Sequence, residues 1–293
     1  MLYRIVHISD IHLWDIPWGP WEWRGKRILG LANLILRRAR RMRREEIGTL
    51  FAELAKDAAD HLIVSGDLTT TSLPSEFDRF ADALEGWGSD GAPLTVLPGN
   101  HDRYTRFAVR ENLFGRRFNK FCEGGVFPFR KPLAEGLELI GFDPCVPNPF
   151  SARGFADPGD IDKVPNLLRE GEDSGAKTFL FVCHYPGEIP PEQPHGSGHL
   201  MTNSELLVKA MGTSTVPIYW LHGHVHHPWK YPSPTVPNLT YLNPGAPLEA
   251  GEHGISLGRW VLEWNGSALE ANWKSSSETS TYLVDYSTGR YEK

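Results

Sequence analysis

Cysteine is scarce in this chain of 293 residues: Cys122, Cys145 and Cys183 stand alone, with no Cys-x-x-Cys spacing. That excludes a disulfide framework and a thiolate-rich metal cluster, and it suits a reduced, cytoplasmic setting. No apolar stretch reaches the roughly 20 residues that a membrane-spanning helix needs. The N-terminus runs straight into a strand, Tyr3 to Ile8, that leads to functional residues, so a removable signal peptide is not expected. The Asn-x-Ser/Thr matches at Asn238 and Asn265 are then incidental. Internal repeats are also missing. What is present is a 40% hydrophobic composition, enough for a large core, in a length that permits one or two domains.

Five islands rich in Asp, His and Asn each follow an apolar run: Asp10-Ile11-His12, Gly66-Asp67, Gly99-Asn100-His101-Asp102, His184, and Gly223-His224-Val225-His226. The runs before them are Tyr3 to Ile8, His61 to Val64, Leu94 to Leu97, Thr178 to Cys183 and Pro217 to Leu221. Such runs read as buried strands, and in sheets flanked by helices ligands gather at strand carboxyl ends. Carboxylate, imidazole and amide oxygen together suit divalent Mn, Fe, Zn or Co rather than a soft metal. Asp67 is the expected bridge, because the two oxygens of one carboxylate can serve two ions roughly 3.5–4 Å apart. The Asp-x-His and His-x-His spacings would put both side chains of each pair on one side of an extended segment. Each island alone is weak, and ordinary strand-end turns would need five coincidences to produce the set.

Taken together and in this order, the islands resemble the calcineurin-like metallophosphoesterase family, with no departure at a ligand position. The resemblance spans residues 10 to 226. It implies a four-layer αββα sandwich, two facing mixed β-sheets flanked by helices. It also implies two divalent or mixed-valence metal ions, the first held by Asp10, His12, Asp67 and His226, the second by Asp67, Asn100, His184 and His224. His101 would then sit beside the phosphoryl group. The reaction expected is attack by a metal-bridging hydroxide on a phosphodiester or pyrophosphate, without a Ser or Cys nucleophile. His101 would protonate or stabilise the leaving oxygen; Asp102 either orients its imidazole or simply forms the turn.

Other histidines carry less. His7 reads as a core residue, and His222 as structural or as support for a ligand. His227 would contact substrate or solvent, and His195 and His199 would line the entrance or face outward. Between the islands, helices are expected from about Lys26 to Lys56 and from about Ser75 to Trp87, with Pro74 at the latter's start. Tyr104 to Phe129 reads as helical then irregular, and Pro144 to Asp160 as a loop. Asn243-Pro244-Gly245 resembles the family's closing turn. The expected layout is a catalytic unit over 1–265, with a Trp/Arg-rich insertion at about 14–46, and an extension over 266–293 that completes a sheet edge or makes a subunit contact.

Arg24 to Arg44 holds nine basic residues and no acid, so the rest of the chain must carry minus fifteen to give the net charge of minus six. Trp14, Trp18, Trp21 and Trp23 precede it, and Ile28, Leu29, Leu31, Leu34, Ile35 and Leu36 lie within it. Basic residues beside aromatics suit peripheral contact with an anionic membrane, possible at its inner surface, or a cap over an amphiphilic phosphate. A solvated face is the plainer reading. Nucleic acid is disfavoured by the acidity elsewhere, which ranks a nuclease below a small-molecule enzyme. A binding module with a vestigial metal site would have no use for a complete ligand set. Among substrates phosphodiesters lead, with sugar-lipid pyrophosphates of the UDP-sugar type as the alternative that the insertion favours.

Overall fold

The computed structural model describes residues 2–16, 19, 41–85, 87, 93–148, 151–193, 197–251, 254–275, 283–287 and 290–291. Trp18, Trp21, Trp23, residues 24–40 of the basic stretch and His195 lie outside the described residues.

The fold is the expected sandwich of two mixed sheets flanked by helices. One sheet has the order β13-β12-β1-β2-β3. Its strands are β1 (Tyr3–Ile8), β2 (His61–Val64), β3 (Leu94–Val96), β12 (Arg259–Trp264) and β13 (Leu269–Lys274). In it β1, β2 and β3 run parallel, while β12 and β13 close the other edge antiparallel. The second sheet has the order β15-β14-β8-β9-β7-β6-β5-β4. It is built from β4 (Phe129–Ala134), β5 (Leu137–Gly141), β6 (Thr178–Val182), β7 (Ile218–Leu221), β8 (Trp229–Pro232), β9 (Leu239–Asn243), β14 (Val284–Asp285) and β15 (Arg290–Tyr291). Its centre, β5 through β6 and β7 to β9, is parallel. A separate antiparallel pair is formed by β10 (Ala250–Gly251) and β11 (Gly254–Ile255).

Strand periodicity of two explains the layering. In β6, Leu180 and Val182 join Ile5, Ile63 and Leu262 in one cluster, whereas Phe179 and Phe181 join a second cluster with Leu168 and Leu207. One face of the strand therefore meets the other sheet and the opposite face meets helices. Those helices are α3 (Val164–Asp173) and α4 (Ser204–Met211), while α1 (Ile47–Lys56) and α2 (Pro74–Glu85) bury Leu50, Leu54, Phe77 and Phe80 in the first cluster. The α2 start follows its sequence: Pro74 fills the first turn, and the Glu76 carboxylate accepts the Leu73 N–H at 3.0 Å.

One expectation fails here. The single helix from Lys26 to Lys56 is interrupted, because buried Met42 forms a bridge with Glu249 and the Arg43 N–H donates to Leu248 O at 2.9 Å. Strand-like pairing with a distant segment overrides local helix propensity. The two ends of the insertion are fastened together at this point. The Trp14 indole N–H donates to Met42 O at 2.9 Å, and Arg44 lies 3.8 Å from the Trp14 ring centre while donating to Trp14 O at 2.6 Å.

Candidate metal centre

All five islands follow the carboxyl ends of parallel strands, and the backbone there is unusual. Asp10, His12, Asp67, His224 and His226 take φ values of 55°, 50°, 54°, 73° and 59°. The left-handed region is costly for residues with a side chain, and it persists only where surrounding structure enforces it, typically at functional sites. The expected extended segments are thus absent: each pair converges because both of its members sit in left-handed turns. The glycines permit close approach. A Cβ at Gly99 would lie 2.1 Å from Asp67 Oδ1, and one at Gly223 would lie 2.0 Å from Ser9 Oγ and 2.2 Å from Asp10 Oδ2.

The donor atoms that result are crowded. His12 Nε2 lies 2.9 Å from His226 Nε2, 3.6 Å from Asp10 Oδ1 and 3.5 Å from Asp67 Oδ2. His226 Nε2 is 3.4 Å from Asp10 Oδ1, and His184 Nε2 is 3.3 Å from Asp67 Oδ2. Asn100 Oδ1 and His224 Nδ1 are 2.9 Å apart. Ligands bonded at about 2.1 Å around one ion sit roughly 3.0–3.4 Å from one another in octahedral or tetrahedral arrangements, so these spacings fit shared cations. Among the described residues, three groups bring their ligand atoms within 4.8 Å of one another: Asp10 with His12 and His226, Asp10 with Asp67 and His184, and His12 with Asp67 and His101.

Charge and hydrogen bonding favour the same occupant. Burial would raise the Asp67 carboxyl, yet the imidazoles of His184, His101 and His12 hold it well below the usual carboxylate range. Burial would likewise lower His226 and His184, but Asp10 and Glu249 push the first up to about 10, and Asp67 and Asp10 push the second up to about 9. Two buried carboxylates are drawing in whatever positive charge they can reach. His184 Nδ1 faces Ser65 O at 2.9 Å, which leaves the lone pair of a neutral ring on Nε2, a buried atom with no hydrogen-bond partner. The residues present therefore fit bound divalent cations. Asp67 differs from its expected geometry in one respect: Oδ2 faces both His12 and His184, while Oδ1 accepts the His101 N–H at 2.7 Å. Sharing would run through one oxygen rather than two.

His101 faces the same cluster, its Nδ1 donating to Thr70 O at 2.6 Å. Asp102 has the contacts that the turn-forming reading expects. Its buried carboxylate accepts N–H groups from Gly99, Leu68 and Thr69 at 2.8, 3.1 and 2.9 Å and the Thr69 hydroxyl at 2.9 Å, pinning two islands together. His7 and His222 are buried and structural, bonded to Ser65 Oγ and to the Trp229 indole N–H at 2.9 and 3.0 Å. The His199 ring centre lies 5.7 Å from that of His224, at the edge of the cluster, and His227 is exposed beside His226.

Two contributors escaped the sequence reading. Glu249 sits 2.6 Å from His226 Nδ1, and Glu76 receives N–H groups from Asp15, Thr71 and Leu73 beneath the loop that holds His101. Pro-Ser-Glu at the α2 start hinted at the second; nothing in the sequence around Glu249 marks the first.

Comparison with known proteins supports these observations. Residues 3–228 match the family described as calcineurin-like phosphoesterase. A probable cyclic nucleotide phosphodiesterase of Synechococcus sp. is 28% identical over 137 residues, 47% of this chain and 47% of that one, so the match spans about half the relative's length. A dimetal phosphatase from Danio rerio superposes with a TM-score of 0.64 at 12% identity, covering 94% of this chain and 97% of that chain. The purple acid phosphatase PPD1 of yellow lupin seeds superposes with a TM-score of 0.55 at 12% identity, covering 98% and 55%. At such identities the structural likenesses speak for the fold, and the family match for descent. With the matched region covering every island from Asp10 to His226, this chain belongs to the calcineurin-like phosphoesterase family.

Proposed function

We propose that the chain is a metal-dependent phosphoesterase that hydrolyses a phosphodiester or pyrophosphate bond of a small molecule. The observation that carries this reading is the packing of Asp10, His12, Asp67, His184 and His226 donor atoms at 2.9 to 3.6 Å. Asp10, His12, Asp67 and His226 would hold one divalent ion, and Asp67, Asn100, His184 and His224 a second. Such a pair supplies Lewis acidity, making water a base near neutral pH and neutralising phosphate charge.

The protein's own groups do the rest. Asp67 Oδ1 fixes the His101 backbone, and Thr70 O accepts the hydrogen bond of Nδ1–H, so the proton available to a leaving oxygen is carried on Nε2. The buried floor of Asp102 bonds keeps the Asp67 and Asn100 turns in register, which serves in-line positioning. The catalytic unit runs over 1–265, with 266–293 completing sheet edges.

A second reading concerns the substrate. The insertion is rooted beside His12, where Leu13 bridges Thr69 and Trp14 meets Arg44, so its basic, Trp-flanked sequence leaves from the rim of the site. That favours an amphiphilic phosphate, such as a nucleotide-sugar lipid handled at the inner membrane surface.

The test is a screen of Mn- and Zn-reconstituted protein against a bis-aryl phosphodiester, cyclic nucleotides, glycerophosphodiesters and nucleotide-sugar lipids. Turnover of at least one, abolished by chelation and restored by metal, is the expected result. Inactivity on all of them with metal bound overturns the hydrolytic reading and revives the binding-module one.

A further inference from the structure

We propose that Glu249 is a positioning residue of the metal centre, fixing the ring of His226, and that Arg41 connects this contact to the base of the insertion. The inference rests on the metal-dependent reading above. His226 Nδ1 lies 2.6 Å from Glu249 Oε2, while Nε2 faces His12 Nε2 at 2.9 Å and Asp10 Oδ1 at 3.4 Å. A neutral ring whose Nδ1–H donates to a carboxylate keeps its lone pair on Nε2, where a cation would be met. A carboxylate behind the ring also strengthens the imidazole as a donor, more than a neutral carbonyl does. His184, backed by Ser65 O at 2.9 Å, is the neutral counterpart in the same centre.

Glu249 is held on several sides. Its backbone bridges Met42, its N–H donates to Ala246 O at 3.1 Å, and the neighbouring Leu248 O accepts the Arg43 N–H at 2.9 Å. The two carboxylate oxygens are divided: Oε2 takes His226 and Oε1 pairs with Arg41 at 2.9 Å. The Arg41 side chain is 64% exposed, so the pair adds aim rather than much energy. Arg41, at the carboxyl side of the insertion, is thereby two contacts from a ligand nitrogen. A displacement at the insertion's base would reach His226 through Glu249 without crossing the fold.

The test titrates metal-free protein with Mn or Zn alone, by calorimetry and by competition with a chromogenic chelator. Wild type is compared with Glu249→Ala, Glu249→Gln and Arg41→Gln. For Glu249→Ala, one of two binding steps weakens by about 10–100-fold and the other stays unchanged. Glu249→Gln, which keeps a neutral acceptor, loses less, and Arg41→Gln less again. Histidine ¹⁵N spectra of the zinc form report the tautomer directly, with Nδ1–H of His226 present in wild type and diminished in Glu249→Ala. Arg41→Gln, a surface change, guards against a merely misfolded Glu249 variant.

Affinities equal to wild type in both Glu249 variants overturn the inference and leave the functional reading intact. Equal weakening of both steps together with a lowered melting temperature also overturns it, since that marks a general structural role. A wild-type protein that takes up no metal overturns the functional reading, and this one with it.

Discussion

The ring of Tyr104 lies almost parallel to that of His101, centroids 5.3 Å apart and planes 11° from parallel. Stacked on one side, and held at Nδ1 by Thr70 O, the imidazole has little freedom to turn. A proton donor aimed in advance costs less reorganisation at the moment of reaction.

Replacing His101 with Asn should lower kcat by about 10²–10⁴-fold, the usual size of a general-acid contribution. Metal content, measured by plasma mass spectrometry, stays at the wild-type level. Tyr104→Leu should lower kcat by up to about 10²-fold through misplacement of the ring. An effect of Tyr104→Leu on KM alone would identify that ring as a substrate contact.

Asp67→Ala and Asn100→Ala should abolish turnover while circular dichroism and cooperative unfolding remain. Both side chains sit at the cluster and not in the hydrophobic core. Substantial activity in the Asp67 variant would count against its shared role.

Gly99→Ala tests close approach. Its new methyl would meet the Asp67 carboxylate, so stability should fall by about 1–3 kcal/mol in urea unfolding. Metal affinity should fall with it. An unperturbed variant would mean that the two turns are free to separate.

His7 and His61 are buried in the core, and burial lowers each to about 3 from the ordinary histidine value. Unfolding lets both take up protons at about pH 6.5, whereas the folded state resists until about pH 3. Their stabilising effect is present above the unfolded value and is lost as pH falls through that window, at about 1.4 kcal/mol per pH unit for each ring. The urea midpoint of metal-free protein should decline from pH 6 to pH 4, and His61→Gln should flatten the slope.

Liposomes of anionic lipid should pull down the protein at low salt. Converting Arg37, Arg38, Arg40 and Arg41 to Gln should weaken this co-sedimentation. Absence of binding by the wild type would remove the membrane idea.

Much of the fold and site was legible because strand-end turns are local. Gly66-Asp67 and Gly223-His224 announce themselves by residue type and by the apolar runs before them, and each meets another island in space, Asp67 beside His184 and His224 beside Asp10. What was hidden depends on contacts between distant segments. The left-handed backbone at Asp10 and His12 is imposed by neighbours: the N–H groups of Asp10 and His12 donate to Gly66 O and Asp67 O at 3.0 and 2.9 Å. Glu249 carries no local motif, and the bridge that pairs it with Met42 joins segments far apart in the sequence. For Asp102 the sequence leaves ring orientation and turn formation both open, and only distant contacts speak for the turn: the N–H groups of Leu68 and Thr69 donate to its carboxylate.

The clasp between Trp14 and Arg44 joins two points thirty residues apart in the chain, so that neither can move without the other. Because the departing and returning backbones are buttoned at Trp14 and Arg44, the length of chain between them can change without shifting Asp10 and His12.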